Sequence, residues 1–430
     1  MNKADLLFLI IGTNPFPNLI AAVTRVKNEG KIICFHTGQD ENGTQRIYRK
    51  FSDVINEKYE NNIIITPYRI DRSDIESIKK DVTNAINNNI DFLEQGQTVE
   101  LNFTGGTKVM SSISYHVFKE IGKKSNINAD FILSYIDGEK ERIYYEIIKE
   151  NNINKKHISE SLKSLKENCQ LQLNDIFSCH FKSIKFKNTK NEVYDYKLGE
   201  KIFKSFLGCS RQEYDNKIEF LEILYNDIRK FEDKKSIKDK MESESNNQYL
   251  IRKITENEEK YIKKIKELDP IKGVKELRDL AIKDGEINSK FIKALKGFWL
   301  EDYIYKIIKE LEEEGLLIDI KHSVEDNFEV DIVALKKYKI FCVSVTSVDK
   351  FNGAINKLYE IKERAIQLGG DEAGICFINL YYKSEELEES YKSMWIEGMP
   401  KNTLIIGWDR FKNLKDNLKK WIKGEDNYEF

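Results

Sequence analysis

The first third of the chain alternates short, uniformly apolar runs with segments of helical periodicity, and this alternation constrains the fold more than any other feature. LLFLIIG is followed by PNLIAAVTRVKNEG, KIICFHTG, a helical segment around Gln45 to Tyr59, and NIIITPYRI. Strands that read as continuous apolar runs are covered on both faces, as the strands of a parallel sheet flanked by helices must be. The rhythm is βαβ and predicts a doubly wound parallel sheet. A helix near Asp74 to Gln95 leads into TVELNFTGGTKVMSSISYHVFKEIG, a strand that enters a glycine turn and leaves as a helix. DFILSYIDG and RIYYEIIKE then read as a closing hairpin, with Asp137-Gly138 near its turn.

With 430 residues the chain is too long for one ordinary core and implies two or three domains. From about Asn151 to Asp284 it turns lysine- and glutamate-rich, as in KKSIKDKMESESNNQYLIRKITENEEKYIKKIKEL. Dense mixed charge with sparse apolar spacing predicts surface helices, with Ser243 to Gln248 as a flexible break. A third character begins near Phe291 with the amphipathic helix FIKALKGFWLEDYIYKIIKELEEEG. The hairpin NFEVDIVALKKYKIFCVSVTS comes next, then the helix INKLYEIKERAIQLGG, stopped by its two glycines, and the strands GICFINLYY and TLIIGWD. The expected division is residues 1–150, 151–290 and 291–430, an α/β domain at each end and a helical relay or dimerisation region between.

Several classes are excluded. Lys+Arg (70) and Asp+Glu (72) leave a formal charge of -2, so nucleic-acid binding must come from a local patch. Six scattered cysteines with no C-x-x-C pair read as reduced thiols, and neither they nor the histidines have zinc-ligand spacing. The N-terminal apolar stretch spans about seven residues, far short of the ~20 that a spanning helix needs, and has no cleavage site. It predicts a first strand in a cytoplasmic protein without membrane association.

Thr104-Gly105-Gly106-Thr107-Lys108 joins a strand to a helix. Two glycines let the backbone approach a ligand, first-turn N–H groups point outward and Lys108 adds charge, which together make an anion cradle. A tight structural turn would use the same glycines. No Walker loop or G-x-G-x-x-G is present. The first strand ends in Gly12-Thr13-Asn14-Pro15-Phe16-Pro17-Asn18 and the second in Thr37-Gly38-Gln39-Asp40. Ligands of open parallel sheets sit outside the carboxyl ends of strands, so these loops should converge. LNFTGGTKVMS and the early PNLIAAV helix resemble the CARF domains of type III CRISPR accessory effectors, over residues 1–150. The resemblance implies a homodimer binding a cyclic oligoadenylate, cyclic tetra-adenylate or cyclic hexa-adenylate, across its two-fold axis. Its implied contacts are Thr104, Gly105, Gly106, Thr107 and Lys108 with Thr13, Asn14 and Asn18, and Thr37 and Gly38 flank the same mouth.

Metal-dependent nucleases of the PD-(D/E)XK fold need clustered carboxylates to hold Mg²⁺ or Mn²⁺ and a lysine for the attacking water or the developing charge. Glu301 lies on the first helix of the C-terminal region. Glu329 and Asp331 share one face of a strand by period two. The next strand, IFCVSVTS, carries Ser344 and Thr346 where the family pattern has Glu and Lys, and neutral hydroxyls are weak ligands. The lysine can shift to the following helix, where Lys357 precedes Glu360 and Arg364. From GFWLE through EVD, the SVT strand and QLGGDEA, residues 291–430 resemble the restriction-endonuclease-like nuclease domain found behind CARF sensors. That resemblance implies ligand-activated cleavage of DNA or RNA, with Glu301, Asp331 and Lys357 catalytic, Glu301 and Asp331 holding the metal, and Glu329 and Ser344 secondary. Two other outcomes stay open: a pseudonuclease that binds nucleic acid or a protein without cleaving, and a sensor that degrades its own cyclic ligand. The histidine-dependent RNase alternative is set aside, since no histidine has an arginine five to seven positions before it. No G-x-S-x-G elbow supports a serine hydrolase.

Overall fold

The structure is a computed structural model that describes residues 1–38, 43–60, 62–90, 93, 96–124, 129–148, 157–165, 167–180, 185–186, 196–222, 275–283, 286–287, 298–325, 329–393 and 402–428. Gln39-Asp40, the break at Ser243 to Gln248, the helix start at Phe291 to Gly297 and Asn327-Phe328 lie outside them. The chain falls into two compact units. One comprises Met1–Lys187, Gly315–Cys342 and Lys362–Gly374, the other Asn188–Glu314, Val343–Ile361 and Ile375–Phe430.

In the first unit, β1 (Ala4–Ile10), α1 (Phe16–Arg25), β2 (Val26–His36), α2 (Gln45–Lys58), β3 (Ile64–Arg69), α3 (Ile75–Ile90), β4 (Thr98–Asn102), α4 (Lys108–Lys124) and β5 (Asp130–Asp137) follow the predicted rhythm. The sheet order is β3-β2-β1-β4-β5, and these strands are all parallel. It is the Rossmann-like arrangement expected, and the strand order reverses between β1 and β4. The hairpin partner β6 (Arg142–Ile148) and then β7 (His157–Ser161) add antiparallel edges, so the sheet runs on past residue 150.

Alternation decides what each face packs. Leu6, Phe8 and Ile10 of β1 join Ile78, Val82 and Ile86 of α3 and Met110, Val117 and Phe118 of α4 in one buried cluster. Phe8 stacks on Phe35 at 5.8 Å and meets Phe118 edge-on at 6.0 Å. At the amino end of the strands, Arg25 and Glu100 form a wholly buried ion pair (2.7 Å), and Ser134 donates to the same carboxylate at 2.6 Å. Breaking a pair of this kind leaves an uncompensated charge in the core.

The helix α5 (Leu173–His180) ends on a histidine that Arg46 approaches, donating to its carbonyl at 3.0 Å. Burial, reinforced by the Arg46 charge, lowers the His180 pKa to about 4. Because the unfolded chain takes up the proton at its ordinary pKa of 6.5, stability should be unaffected above that value and fall as pH drops from 6.5 toward 4, by about 1.4 kcal/mol per unit. Urea titrations between pH 7 and 4 should show this slope, and His180→Asn should flatten it.

The same unit holds the antiparallel ladder of β8 (Lys185–Phe186), β11 (Asp319–Glu325) and β12 (Glu329–Lys336), with Val324 facing Val330 and His322 facing Ile332. A two-stranded ladder, β9 (Ile282–Lys283) and β10 (Glu286–Ile287), follows the short helix α7 (Lys275–Ala281) and belongs to the second unit. β12 turns at Lys337, in the left-handed region at φ 50°, into β13 (Lys339–Thr346). The predicted hairpin therefore forms, and the sequence reading missed β11 ahead of it.

In the second unit, α6 (Tyr196–Phe206) lies against α8 (Phe298–Glu313) so closely that a Cβ on Gly199 would sit 2.6 Å from the Trp299 carbonyl oxygen. Phe203 meets Tyr303 at 4.4 Å and Phe206 stacks on Trp299 at 6.0 Å. α9 (Phe351–Gly369) starts in this unit. The parallel pair β14 (Gly374–Asn379) and β15 (Thr403–Ile406) is joined by α10 (Ser384–Lys392), and α11 (Leu414–Lys423) closes the chain. Lys415 and Lys419 of α11 pair with Glu310 and Glu314 beside α8 (2.7 and 2.6 Å). Cys34, Cys179, Cys342 and Cys376 are buried free thiols, as expected, while Cys169 and Cys209 are half-buried. Among the described residues, no helix is long and apolar enough to cross a membrane.

Candidate ligand-binding mouth and nuclease-like site

β1, β2, β3 and β4 all run the same way, so the loops after them emerge at one edge of the sheet. The glycine turn after β4 presses onto the end of β1. A Cβ on Gly105 would overlap the Ile10 carbonyl oxygen and lie 3.1 Å from both polar atoms of the Asn18 side chain. Gly106, at φ +80°, would collide with the Ile10 side chain, and a Cβ on Gly12 would sit 2.8 Å from the Gly106 nitrogen. These glycines are thus required by close backbone approach, which brings the first and third predicted loops together.

Around that approach the side chains brace the turn. Asn18 is wholly buried and donates to the Ile10 carbonyl at 3.1 Å, while its Oδ1 accepts no hydrogen bond among the described residues. Thr104 Oγ1 accepts from the Ile136 N–H (2.8 Å), and Ser111 donates to the Gly105 carbonyl (2.6 Å). Thr107 is the N-cap of α4, its hydroxyl accepting from the Met110 N–H at 3.2 Å and donating to the Arg72 carbonyl at 3.3 Å. With the carbonyls and hydroxyls so engaged, the N–H groups of Gly105, Gly106, Thr107 and Lys108 donate to no acceptor among the described residues. Lys108 is exposed and makes no ion pair with another described residue. A run of open donors and one free cation at a helix start is an anion-binding arrangement.

The other predicted contacts divide. Thr13 is exposed, and Asn14 Oδ1 accepts from the Phe16 N–H at 3.0 Å at the start of α1. Thr37 is only 6% exposed, and its N–H and hydroxyl exchange hydrogen bonds with Thr44 (3.0 and 2.9 Å), which ties the end of β2 to the start of α2. A Cβ on Gly38 would lie 3.2 Å from the Arg69 guanidinium. Arg69, the last residue of β3, and Arg72, in the loop after it, formed no part of the sequence reading. The signal was available, since NIIITPYRI had been read as a strand of the same sheet.

For the nuclease-like residues each position is clear within its own element. Glu301, in the first turn of α8, is 6% exposed, and its neighbour Asp302 is 8% exposed. On β12, Glu329 is exposed and Asp331 half-buried, with Val330 and Ile332 buried on the other face. Opposite Asp331 in the ladder, Ser323 is buried with φ 46°, an uncommon backbone for a non-glycine residue inside a strand. Ser344 and Thr346 are half-buried on one face of β13. Lys357 is 51% exposed on α9 and paired with Glu360 at 2.8 Å. Carboxylate oxygens such as those of Glu301 and Asp331 are the ligand type that a hard divalent cation takes. Among the described residues, no group of three or more His, Cys, Asp or Glu side chains could hold a metal ion.

No protein-family model matches the sequence, and no curated protein sequence matches it. Solved structures do match. Protein VC1899 from Vibrio cholerae shares 14% identity at a TM-score of 0.58, covering 97% of this chain and 98% of its own. Can2 from Sulfobacillus thermosulfidooxidans, solved in complex with cyclic tetra-adenylate, shares 14% identity at a TM-score of 0.59, covering 97% of this chain and 99% of its own. Across nearly its whole length, therefore, this chain has the fold of VC1899 and Can2.

Proposed function

We propose that the chain is a cyclic-oligoadenylate-activated nuclease effector of type III CRISPR defence, whose N-terminal mouth binds cyclic tetra-adenylate and whose C-terminal domain cleaves nucleic acid. The observation that carries the reading is the row of open N–H groups from Gly105 to Lys108, with an unpaired lysine, at the point where the strand order reverses. Phosphodiester oxygens are what such donors hold. The shared fold with Can2, which was solved with that ligand, supports the assignment. A ring with two-fold symmetry is matched by two identical cradles, so the active form is a homodimer with an isologous interface.

In the mouth, Gly105 and Gly106 admit the phosphate to the backbone, and Lys108 neutralises it. Asn18 holds the Ile10 end of β1 against the turn, and Thr107 fixes the first turn of α4 so that its amides stay aimed outward. Asp331 on β12 and, in the second unit, Glu301 on α8 are the proposed carboxylates, and a bound Mg²⁺ or Mn²⁺ would supply Lewis acidity to the scissile phosphate. The apolar flanks of Asp331 keep its carboxylate on one face of β12. Asp302, buried beside Glu301, is a further acid on that helix turn.

Lys108→Ala is expected to weaken cyclic tetra-adenylate binding by about 2 kcal/mol, roughly thirtyfold, with an unchanged melting temperature. Calorimetry on the full chain measures it, and an unaltered affinity would remove the cradle from the binding site. Incubating the protein with DNA and RNA, with and without cyclic tetra-adenylate, cyclic hexa-adenylate and divalent metal, tests the activity. Cleavage that requires both ligand and metal is the expected result. Binding without cleavage, or breakdown of the ligand alone, would replace the nuclease reading.

A further inference from the structure

The loop after β3 is an outer wall of the same mouth, and nothing in the sequence reading assigned it. It is tied to the glycine turn by the hydrogen bond from Thr107 to the Arg72 carbonyl. Just before the loop, Arg69 at the end of β3 lies against Gly38, which follows β2. Gly38 has no positive φ, so its backbone does not require glycine. What a side chain there would meet is the guanidinium: 3.2 Å to Nη2 and 3.5 Å to Cζ and Nε.

The loop's own acids form no ion pair with Arg69 or Arg72. Asp71 accepts from the N–H groups of Asp74 and Ser73, each at 2.8 Å, and these bonds, with a smaller contribution from the Arg69 charge, hold its carboxyl below the usual range. Asp74 is turned onto the start of α3, accepting from the Glu76 N–H at 3.1 Å. Arg69 and Arg72 are both exposed and form no ion pair with another described residue. The backbone of the loop is therefore fixed, and two guanidinium groups are left for an outside anion.

The geometry points to Arg69 and Arg72 as phosphate-binding residues of the mouth, which engage the phosphodiesters of the cyclic oligonucleotide that Lys108 does not reach. This rests on the proposed ligand-binding function. Guanidinium groups take phosphate by paired N–H bonds, a geometry that an ammonium cannot copy. Three cations per mouth suit a polyanionic ring better than a single phosphate.

The test is calorimetric titration of the full chain with cyclic tetra-adenylate, comparing wild type with Arg69→Ala, Arg72→Ala, Arg69→Lys, Lys108→Ala and the α3 surface control Lys79→Ala. Each arginine-to-alanine change should weaken binding about tenfold or more. Arg69→Lys should fall between Arg69→Ala and wild type, and Lys79→Ala should match wild type. Thermal melts establish that these exposed changes leave the fold intact. If Lys108→Ala weakens binding while both arginine variants bind as wild type, the inference is overturned and the proposed function stands. If wild type binds no cyclic oligoadenylate, both fall together.

Discussion

Gly105→Ala should destabilise the N-terminal unit by about 3 kcal/mol or more and abolish ligand binding with it. A methyl at this position overlaps the Ile10 carbonyl oxygen, a backbone atom of the central strand that cannot swing aside as a side-chain tip would. Relief requires the turn to lift off β1, which breaks the approach of Gly106 to Gly12 and pulls Gly105 away from Asn18. The amides from Gly105 to Lys108 would then no longer be presented together. For a unit of this size the loss corresponds to a fall in melting temperature of roughly 6–12 °C. Gly96→Ala is the informative comparison. Gly96 has φ +83° with nothing within 4 Å of a Cβ, so it pays only for left-handed backbone, about 1 kcal/mol. A Gly105→Ala melting shift no larger than that of Gly96→Ala would show that the turn does not press on β1 as described.

Asp331→Ala should lower metal-dependent cleavage by about a hundredfold or more while leaving ligand affinity and the melting temperature near wild type. The expected selectivity follows from its position. Its side chain is half-buried on the face of β12 opposite Val330 and Ile332, so removing it opens no core cavity, but it deletes a carboxylate from the proposed metal site. Rates should be measured with saturating cyclic tetra-adenylate at several metal concentrations, since a lost ligand raises the metal requirement as well as lowering the maximum. Cleavage unchanged in this variant would take the chemistry away from β12. Lys357→Ala belongs in the same series. A comparable loss would bring that lysine into the reaction despite its pairing with Glu360, and a change within about twofold would leave it as a surface ion pair.

Much of the architecture was legible because burial writes itself into residue type. LLFLIIG, KIICFH and VELN could only be strands covered on both sides, and helices at Gln45 and Ile75 were predicted from periodicity, though the second was drawn to Gln95 and ends at Ile90. The strand Asp319–Glu325 was missed: it carries Asp319, Lys321, His322 and Ser323, and polar character outweighed the spacing of Ile320, His322 and Val324. The second compact unit was also hidden. It is assembled from three stretches of the chain, and α6 and α8 lie far apart in sequence yet are joined by packing such as Gly199 against Trp299 and by the Lys306–Glu200 ion pair.

At the mouth, the residue types alone pointed to an anion cradle: two glycines, a threonine and a lysine where a strand becomes a helix. They could not say which neighbours work on the ligand and which work on the loops. Only the structure shows that Thr37 exchanges hydrogen bonds with Thr44 and that Asn18 donates to Ile10 while its Oδ1 accepts none among the described residues. Arg69 and Arg72 carry no motif in the sequence, and it is the parallel order of β3, β2, β1 and β4 that sets the end of β3 and the loop after it beside the glycine turn. Local pattern reports burial and backbone freedom, which are properties of neighbours in the chain. Which charges lie at one edge of the sheet depends on strand order, and that is decided by contacts between residues far apart in sequence.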